Sequence, residues 1–103
     1  MTDRCLVIVN PVSAGGTTER RWPIIKDLLA SLFDFEFVFS EFAGHTIDLS
    51  RRAREDGFHR VICVGGDGTL NEIVNGLMST AAGEPIPQIG IVPSGTGSDM
   101  ARS

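Results

Sequence analysis

The stretch that decides the fold runs from Arg60 to Met78, RVICVGGDGTLNEIVNGLM. Its first part, Val61–Val64, is a short apolar run rich in β-branched residues, which is typical of a strand buried on both faces of a parallel sheet. A glycine-rich turn follows, and from Thr69 onward the apolar residues recur at intervals of three and four, which predicts a helix. A strand, a glycine turn and a helix start in this order can bind phosphate through free backbone N–H groups and the helix dipole.

The turn at Gly65–Gly68 has two possible explanations. It can be a tight structural turn that happens to use glycine, with Asp67 capping the helix that starts at Thr69. Alternatively, the missing side chains let backbone N–H groups approach a ligand closely or adopt positive φ. The acid in the turn favours the second explanation, and so do three polar residues early in the helix: Asn71, Glu72 and Asn75.

Neither common phosphate-binding fingerprint is present. A Walker loop needs a lysine after its last glycine, but Lys26 is the only lysine in the chain. The dinucleotide pattern G-x-G-x-x-G fails at both candidate places, because Asn71 and Met100 stand where the third glycine is required. The glycine turn therefore indicates a phosphate site of another kind.

Composition limits the class of protein. The chain has 103 residues, 42% of them apolar, which suits one small soluble domain. A net charge of −4 argues against binding nucleic acid through simple charge attraction. We find no apolar run near the ~20 residues of a spanning helix, and no signal peptide.

Cys5 and Cys63 lie in apolar runs, which predicts reduced, buried thiols and a cytoplasmic location. No spacing of metal ligands is present in the sequence.

Two further strands and two further helices are predicted before Arg60. Cys5–Val9 is expected to lie beside Val61–Val64, and residues 35–40 form a strand nearer an edge of the sheet. Thr17 or Thr18 is expected to cap the first helix, with Pro23 in its first turn unless the helix starts later. Thr46 is expected to cap the second helix, which stops at Gly57.

Side-chain positions on these helices are also predicted. The core stripe of the first helix comprises Trp22, Ile25, Leu28, Leu29 and Leu32. The arginines at 51, 52 and 54 form a solvated face, and His45 and His59 lie at the surface. The helix after the glycine turn is expected to weaken near Gly76.

Ile89–Val92 is the fourth predicted strand, and it precedes a third small-residue turn at 93–99. The first such turn, at 10–16, follows the first strand. Since ligands bind beyond the carboxyl ends of parallel strands, the three turns are expected to face one crevice. Alternating strands and helices predict an α/β fold, a three-layer Rossmann-like domain with helices on both faces of a parallel sheet. A last helix starts near Ser98 or Asp99 and cannot finish by Ser103, so we expect the front part of a longer protein.

Three segments resemble the signatures of a known family. NPVSAGG at 10–16, GGDGTLNEIVNGL at 65–77 and GIVPSGTGSDMAR at 90–102 are similar, in order and spacing, to those of the diacylglycerol kinase catalytic domain family. That family includes bacterial lipid kinases and the sphingosine and ceramide kinases. The GGDGT core also occurs in NAD kinases and, in variant form, in phosphofructokinases. The resemblance implies the NAD kinase/phosphofructokinase-like fold.

The resemblance also implies a nucleotide site. The residues that would line it are Asn10, Pro11, Val12, Ser13, Ala14, Ser40, Gly65, Gly66, Asp67, Gly68, Thr69, Leu70, Asn71 and Thr96. Asp67 is the candidate catalytic residue, orienting Mg²⁺ or a water near the phosphate that is transferred, because an acid beside a polyphosphate is repulsive without a cation. Two departures from the family pattern occur: Ala14 replaces a usual Gly, and Ser98 replaces a usual Asn.

The activity implied is transfer of the γ-phosphoryl group of ATP to a lipid hydroxyl, with Mg²⁺. Residues 1–103 would form the N-terminal ATP-binding domain, which has little activity alone. The base and much of the lipid-binding surface would belong to a following β-rich domain. Peripheral membrane contact and a homodimer are expected, the latter through an apolar face left without its neighbour. Two alternatives remain open: an NAD kinase-like enzyme and a non-catalytic nucleotide-binding module.

Overall fold

The structure is a computed structural model, and it describes residues 4–79 and 85–93. The described residues form four strands, three α-helices and one short 3-10 helix. The strands are β1 (Cys5–Val9), β2 (Glu36–Phe39), β3 (Arg60–Gly65) and β4 (Gln88–Pro93). The α-helices are α1 (Thr17–Ala30), α2 (His45–Glu55) and α3 (Asp67–Met78), and the 3-10 helix spans Ser13–Gly16.

The four strands form one parallel sheet in the order β2-β1-β3-β4. β1 lies beside β3 and β2 lies at an edge, as predicted. The pairing register sets Val9 beside Phe39 and Val64, and Gly65 beside Pro93. The carboxyl ends of all four strands therefore lie along one edge of the sheet. The turns that leave β1 and β3 start from that edge.

Helices cover both faces of the sheet. On one face, Trp22 and Leu29 of α1 pack with the inward residues of β1 and β3, among them Val7 and Val64. On the other face, residues from α2 and α3 pack against the alternate residues of the same strands; they include Ala53, Ile73 and Leu77. This arrangement confirms the predicted three-layer α/β fold. Both central strands are buried on both faces, which explains their continuous apolar sequences.

The predicted start and core stripe of α1 are wrong in part. The cap position is Gly16, in the left-handed conformation at φ 90°, so neither Thr17 nor Thr18 caps the helix. Pro23 lies inside the helix rather than in its first turn. Packing of Trp22 and Leu29 on the sheet holds the helix together across the missing N–H of the proline.

The outer residues of the predicted stripe are exposed. Leu28 and Leu32 have 62% and 76% of their surface open, whereas Trp22 and Leu29 are buried and Ile25 is partly buried. Leu28 lies on a side of α1 that does not meet the strands, whereas Leu32 lies beyond the end of the helix at Ala30.

The start of α2 also differs from the prediction. Its cap is Gly44 at φ 85°, and Thr46 is a buried residue within the helix. A glycine in the left-handed region thus replaces the side-chain cap that the threonine suggested. The helix ends at Glu55, and Gly57 follows with φ 85°, which confirms the predicted stop.

Arg54 is buried, contrary to the predicted solvated arginine face. Its guanidinium donates a hydrogen bond to the carbonyl oxygen of Leu77 at 2.5 Å. Arg51 and Arg52 are exposed as predicted, and both form ion pairs with Asp48 on the same helix. Arg51 and Arg52 therefore face solvent, whereas Arg54 lies at the contact between α2 and α3.

The contact between α2 and α3 depends on Gly76. A Cβ atom at this position would lie 2.3 Å from the backbone oxygen of Ile47 and 2.7 Å from Cβ of Ser50. The helix continues to Met78, so Gly76 does not end it. The glycine that weakens helix propensity is the residue that lets the two helices touch.

The two cysteines are buried and free, as predicted. Burial raises the pKa of Cys63 to about 11. It also raises the pKa of Cys5, against a smaller opposing effect of the Arg60 charge. Among the described residues, none of the helices has the length and apolar character needed to cross a bilayer.

Candidate functional site

The turn between β3 and α3 is shorter than predicted. The strand ends at Gly65 and the helix starts at Asp67 rather than Thr69, with Gly66 at the cap position. Gly66 makes no side-chain cap, and its backbone is extended at φ −103° and ψ −168°. Asp67 is thus the first residue of the helix and not its cap. The N–H groups of the first helical turn have no acceptor within a helix, so they are available at the carboxyl edge of the sheet.

The glycines of this turn do not all have the same role. A Cβ at Gly65 would lie 2.7 Å from the side-chain oxygen of Thr69, so packing requires glycine there. A Cβ at Gly66 or Gly68 would meet nothing within 4 Å. Neither has positive φ, since the described glycines with that conformation lie elsewhere. Packing therefore does not require glycine at 66 or 68, and the space beside both is open.

Asn10 joins the turn after β1 to the turn after β3. Its side-chain nitrogen donates to the hydroxyl of Thr69 at 3.0 Å, and its backbone N–H donates to the carbonyl of Val64 at 3.0 Å. Its side-chain oxygen accepts from the N–H of Val12 at 3.3 Å. The two turns predicted to face one crevice are therefore in direct contact.

A cavity of about 330 Å³ lies at this edge of the sheet. Three residues predicted for the nucleotide site line it: Asn10, Val12 and Ser40. Glu72 of α3 also lines it. Its volume falls at the lower end of the ~300–1,000 Å³ typical of ligand pockets. The ends of β1 and β2 and the first turns of α3 thus contribute to one concave surface.

Sequence reasoning missed four residues of the cavity: Glu41, Phe42, Ala43 and Thr46. They belong to the loop after β2 and to the start of α2. No motif marks them, and the signal that could have found them is position, because the loop leaves the sheet at the same edge as the two small-residue turns. Phe42 stands out, since 66% of its surface is exposed.

The other predicted site residues that the structure describes, Gly65–Thr69 among them, do not line the cavity. The Ser13 hydroxyl donates to the carbonyl of Asn10 at 2.8 Å and contacts the Thr18 hydroxyl at 2.5 Å. Leu70 packs against the core between the sheet and α3, and Asn71 is exposed. Pro11 is partly buried. The side chain of Ala14 and the whole of Thr96, with the third turn, lie outside the described residues.

The charges around the site are negative. Asp67 is exposed, and within residues 4–79 and 85–93 it makes no ion pair. Glu41 and Glu72 line the cavity. The described part of the chain contains no group of three side chains that could hold a metal ion alone. A cation beside a phosphate bound here would therefore take some of its ligands from outside the described side chains.

Comparison with known proteins identifies the family of this chain. The sequence profile of the diacylglycerol kinase catalytic domain matches residues 4–103. The diacylglycerol kinase of Staphylococcus carnosus is 34% identical over 104 residues, covering 100% of this chain and 33% of its own length. A Chromohalobacter salexigens protein named "Probable lipid kinase YegS-like" is 52% identical over 58 residues, which cover 56% of this chain and 18% of that protein.

The fold agrees with a solved relative. The crystal structure of a diacylglycerol kinase from Bacillus anthracis superposes with a TM-score of 0.70 at 29% identity, over 97% of this chain and 36% of that one. The chain spans about a third of the length of the Staphylococcus carnosus and Bacillus anthracis proteins. On the profile match over residues 4–103, the chain belongs to the diacylglycerol kinase catalytic domain family.

Proposed function

We propose that this chain is the ATP-binding part of a lipid kinase, which transfers the γ-phosphoryl group of ATP to the hydroxyl of diacylglycerol or a related lipid. The observation that carries the proposal is the open space at Gly66 and Gly68, at the start of a helix whose first N–H groups face the carboxyl edge of the sheet. The kinase names of the relatives support it.

Phosphate binding follows from the backbone. The amide groups from Gly66 to Thr69 carry partial positive charge, which the dipole of α3 increases. A side chain at 66 or 68 would occupy the space through which phosphate oxygens reach these amides. Asn10 fixes the adjacent turn against Thr69 at 3.0 Å, so both turns act on one ligand.

The site fits Mg²⁺ only together with the nucleotide. Asp67 is the residue we assign to it, directly or through a water, because its carboxylate is exposed beside the phosphate turn. Bound Mg²⁺ would offset the repulsion between phosphate and the acids Asp67 and Glu72. Neutralising charge on the phosphoryl group that moves is the main requirement of this chemistry.

In the proposed transfer, the lipid hydroxyl oxygen forms a bond to the γ-phosphorus while the bond from that phosphorus to the bridging oxygen of ADP breaks. The hydroxyl proton passes to a base. We place that base, and most of the lipid-binding surface, in the remainder of a longer protein, of which residues 1–103 are the N-terminal domain. The length of the relatives supports this division.

The location and assembly follow from the same proposal. A lipid acceptor requires contact with a membrane surface, and two buried, unpaired thiols suit the cytoplasm. We also propose that a homodimer forms through exposed apolar residues of this lobe, such as Ile89 and Ile91.

The test is ATP-dependent labelling of a mixed lipid extract by the full-length protein, with NAD offered separately. We expect labelled lipid and no NADP. Asp67→Asn should reduce transfer at least a hundredfold and lower the melting temperature only slightly, because the exposed carboxylate contributes to stability only through the dipole of α3. The matched control is Asp27→Asn, an exposed acid on α1 away from the site, which should transfer at the wild-type rate.

Two results would overturn the proposal, and a third would remove only the role of Asp67. Formation of NADP without labelled lipid would indicate an NAD kinase. Failure to bind ATP would remove the nucleotide site. Full transfer by Asp67→Asn would leave a lipid kinase in which Asp67 has no part.

A further inference from the structure

The loop after β2 carries a stacked aromatic pair at the cavity. The rings of Phe42 and His45 lie 4.3 Å apart, with planes 13° from parallel. Phe42 lines the cavity. With 66% of its surface exposed, it contributes little to the core. An exposed phenyl ring at the rim of a polar cavity is a surface on which a flat ligand can stack.

Hydrogen bonds hold this pair in place. The Glu41 N–H donates to Nδ1 of His45 at 2.9 Å, and the His45 N–H donates to the carbonyl of Phe42 at 3.0 Å. Gly44, at φ 85°, makes the turn that brings the two rings together. The stack is therefore formed before any ligand arrives, which lowers the entropy cost of binding.

The cavity lies beside the proposed phosphate turn, and Asn10 links the two. Asn10 lines the cavity and is bonded to Thr69 in the first turn of α3. A ligand that fills the cavity and extends past Asn10 would meet an aromatic face at one side and the amides of residues 66–69 at the other. A nucleotide has this chemistry, with a flat base joined through ribose to phosphate.

We propose that Phe42, backed by His45, is the surface on which the nucleobase of the bound nucleotide stacks. The proposal rests on the proposed function, because it requires a nucleotide in this cavity. It assigns a binding role to a residue that no sequence motif marks, and it explains why a large apolar side chain stays exposed there.

The test compares three probes by titration calorimetry on the full-length protein with Mg²⁺: ATP, adenosine and inorganic tripolyphosphate. Base stacking on an aromatic residue predicts that Phe42→Ala binds ATP and adenosine about tenfold more weakly. Its affinity for tripolyphosphate should not change, and Phe42→Trp should bind ATP as the wild type does. Gly66→Ala is the matched control, with weaker binding of ATP and tripolyphosphate and unchanged binding of adenosine.

Each possible outcome either supports or overturns the stacking role of Phe42. Unchanged ATP affinity in Phe42→Ala would overturn the stacking role and leave the ATP site standing. Equal loss of ATP and tripolyphosphate would show a general disturbance of the loop, and would overturn it too. Wild-type protein that binds none of the three probes would overturn both this inference and the proposed function. The melting temperature of Phe42→Ala should equal that of the wild type.

Discussion

At the amino end of α3, Gly66 and Gly68 border open space, whereas at its carboxyl end Gly76 is pressed against α2. The space beside Gly66 and Gly68 is empty, whereas the space beside Gly76 is filled by atoms of α2. Glycine at the carboxyl end is explained by the fold, because any side chain would collide with backbone. Packing does not require glycine at the amino end, where only the cap preference at Gly66 favours it, and the proposed ligand would account for both glycines. The comparison separates residues that build the domain from residues that serve its site.

The largest expected effect is that of Gly76→Ala. Alanine has a better helix propensity by ~1 kcal/mol, so an open site would become more stable. Here the added Cβ would lie 2.3 Å from the Ile47 oxygen, and α2 must move away. We expect a loss of about 3 kcal/mol in the free energy of unfolding, measured by urea denaturation.

Gly68→Ala is the matched control in the same helix, because its Cβ meets nothing. It should be as stable as the wild type or more stable. A Gly76→Ala protein that is stabilised to the same degree would contradict the close contact between α2 and α3.

The second effect concerns the amino end. Gly66→Ala should change the free energy of unfolding by less than ~1 kcal/mol, since its backbone angles suit any residue and only the cap preference of glycine is lost. Its affinity for ATP should fall about tenfold or more, because the methyl group enters the space beside the amides. Denaturation and nucleotide titration on the same protein measure both quantities. If Gly66→Ala lost stability but kept its affinity for ATP, Gly66 would be required by the fold and not by the proposed site.

The last effect is absent at neutral pH and concerns β3, just before the turn. Burial raises the pKa of Cys63 to about 11, from 9.0 for an ordinary thiol. As pH rises, the unfolded chain loses this proton first, so the thiol lowers folding stability between pH 9 and about 11 and has no such effect below pH 9. The difference between wild type and Cys63→Ala, followed across this range, isolates the contribution. A difference that does not vary with pH would contradict the buried position.

Sequence patterns predicted the layers of the fold better than the starts of its helices. The apolar runs at Cys5–Val9 and Val61–Val64 identified two central strands, because strands buried on both faces have no polar alternation. The starts of α1 and α2 were missed, since Gly16 and Gly44 reach left-handed angles that no threonine cap reveals. The burial of Arg54 was missed because a charge run gives no sign of which member meets a neighbouring helix.

The residues of the candidate site likewise fall into those that the sequence predicted and those that it did not. Asn10, Val12 and Ser40 were predicted from motifs and line the cavity. The loop residues around Phe42 were not predicted, because their place depends on the strand order, which brings the end of β2 beside the end of β1. Local patterns identify the small-residue turns, whereas the opposite side of the cavity depends on the order of the strands in the sheet.

The hydrogen bond from Arg54 to the Leu77 carbonyl has a mechanical consequence. A cation at the carboxyl end of a helix suits its dipole and satisfies an oxygen that would otherwise need water. With that end anchored inside the protein, α3 can neither slide nor tilt freely. At 1.5 Å per residue, the amides near Gly66 are therefore aligned by an anchor about 16 Å away along the helix axis.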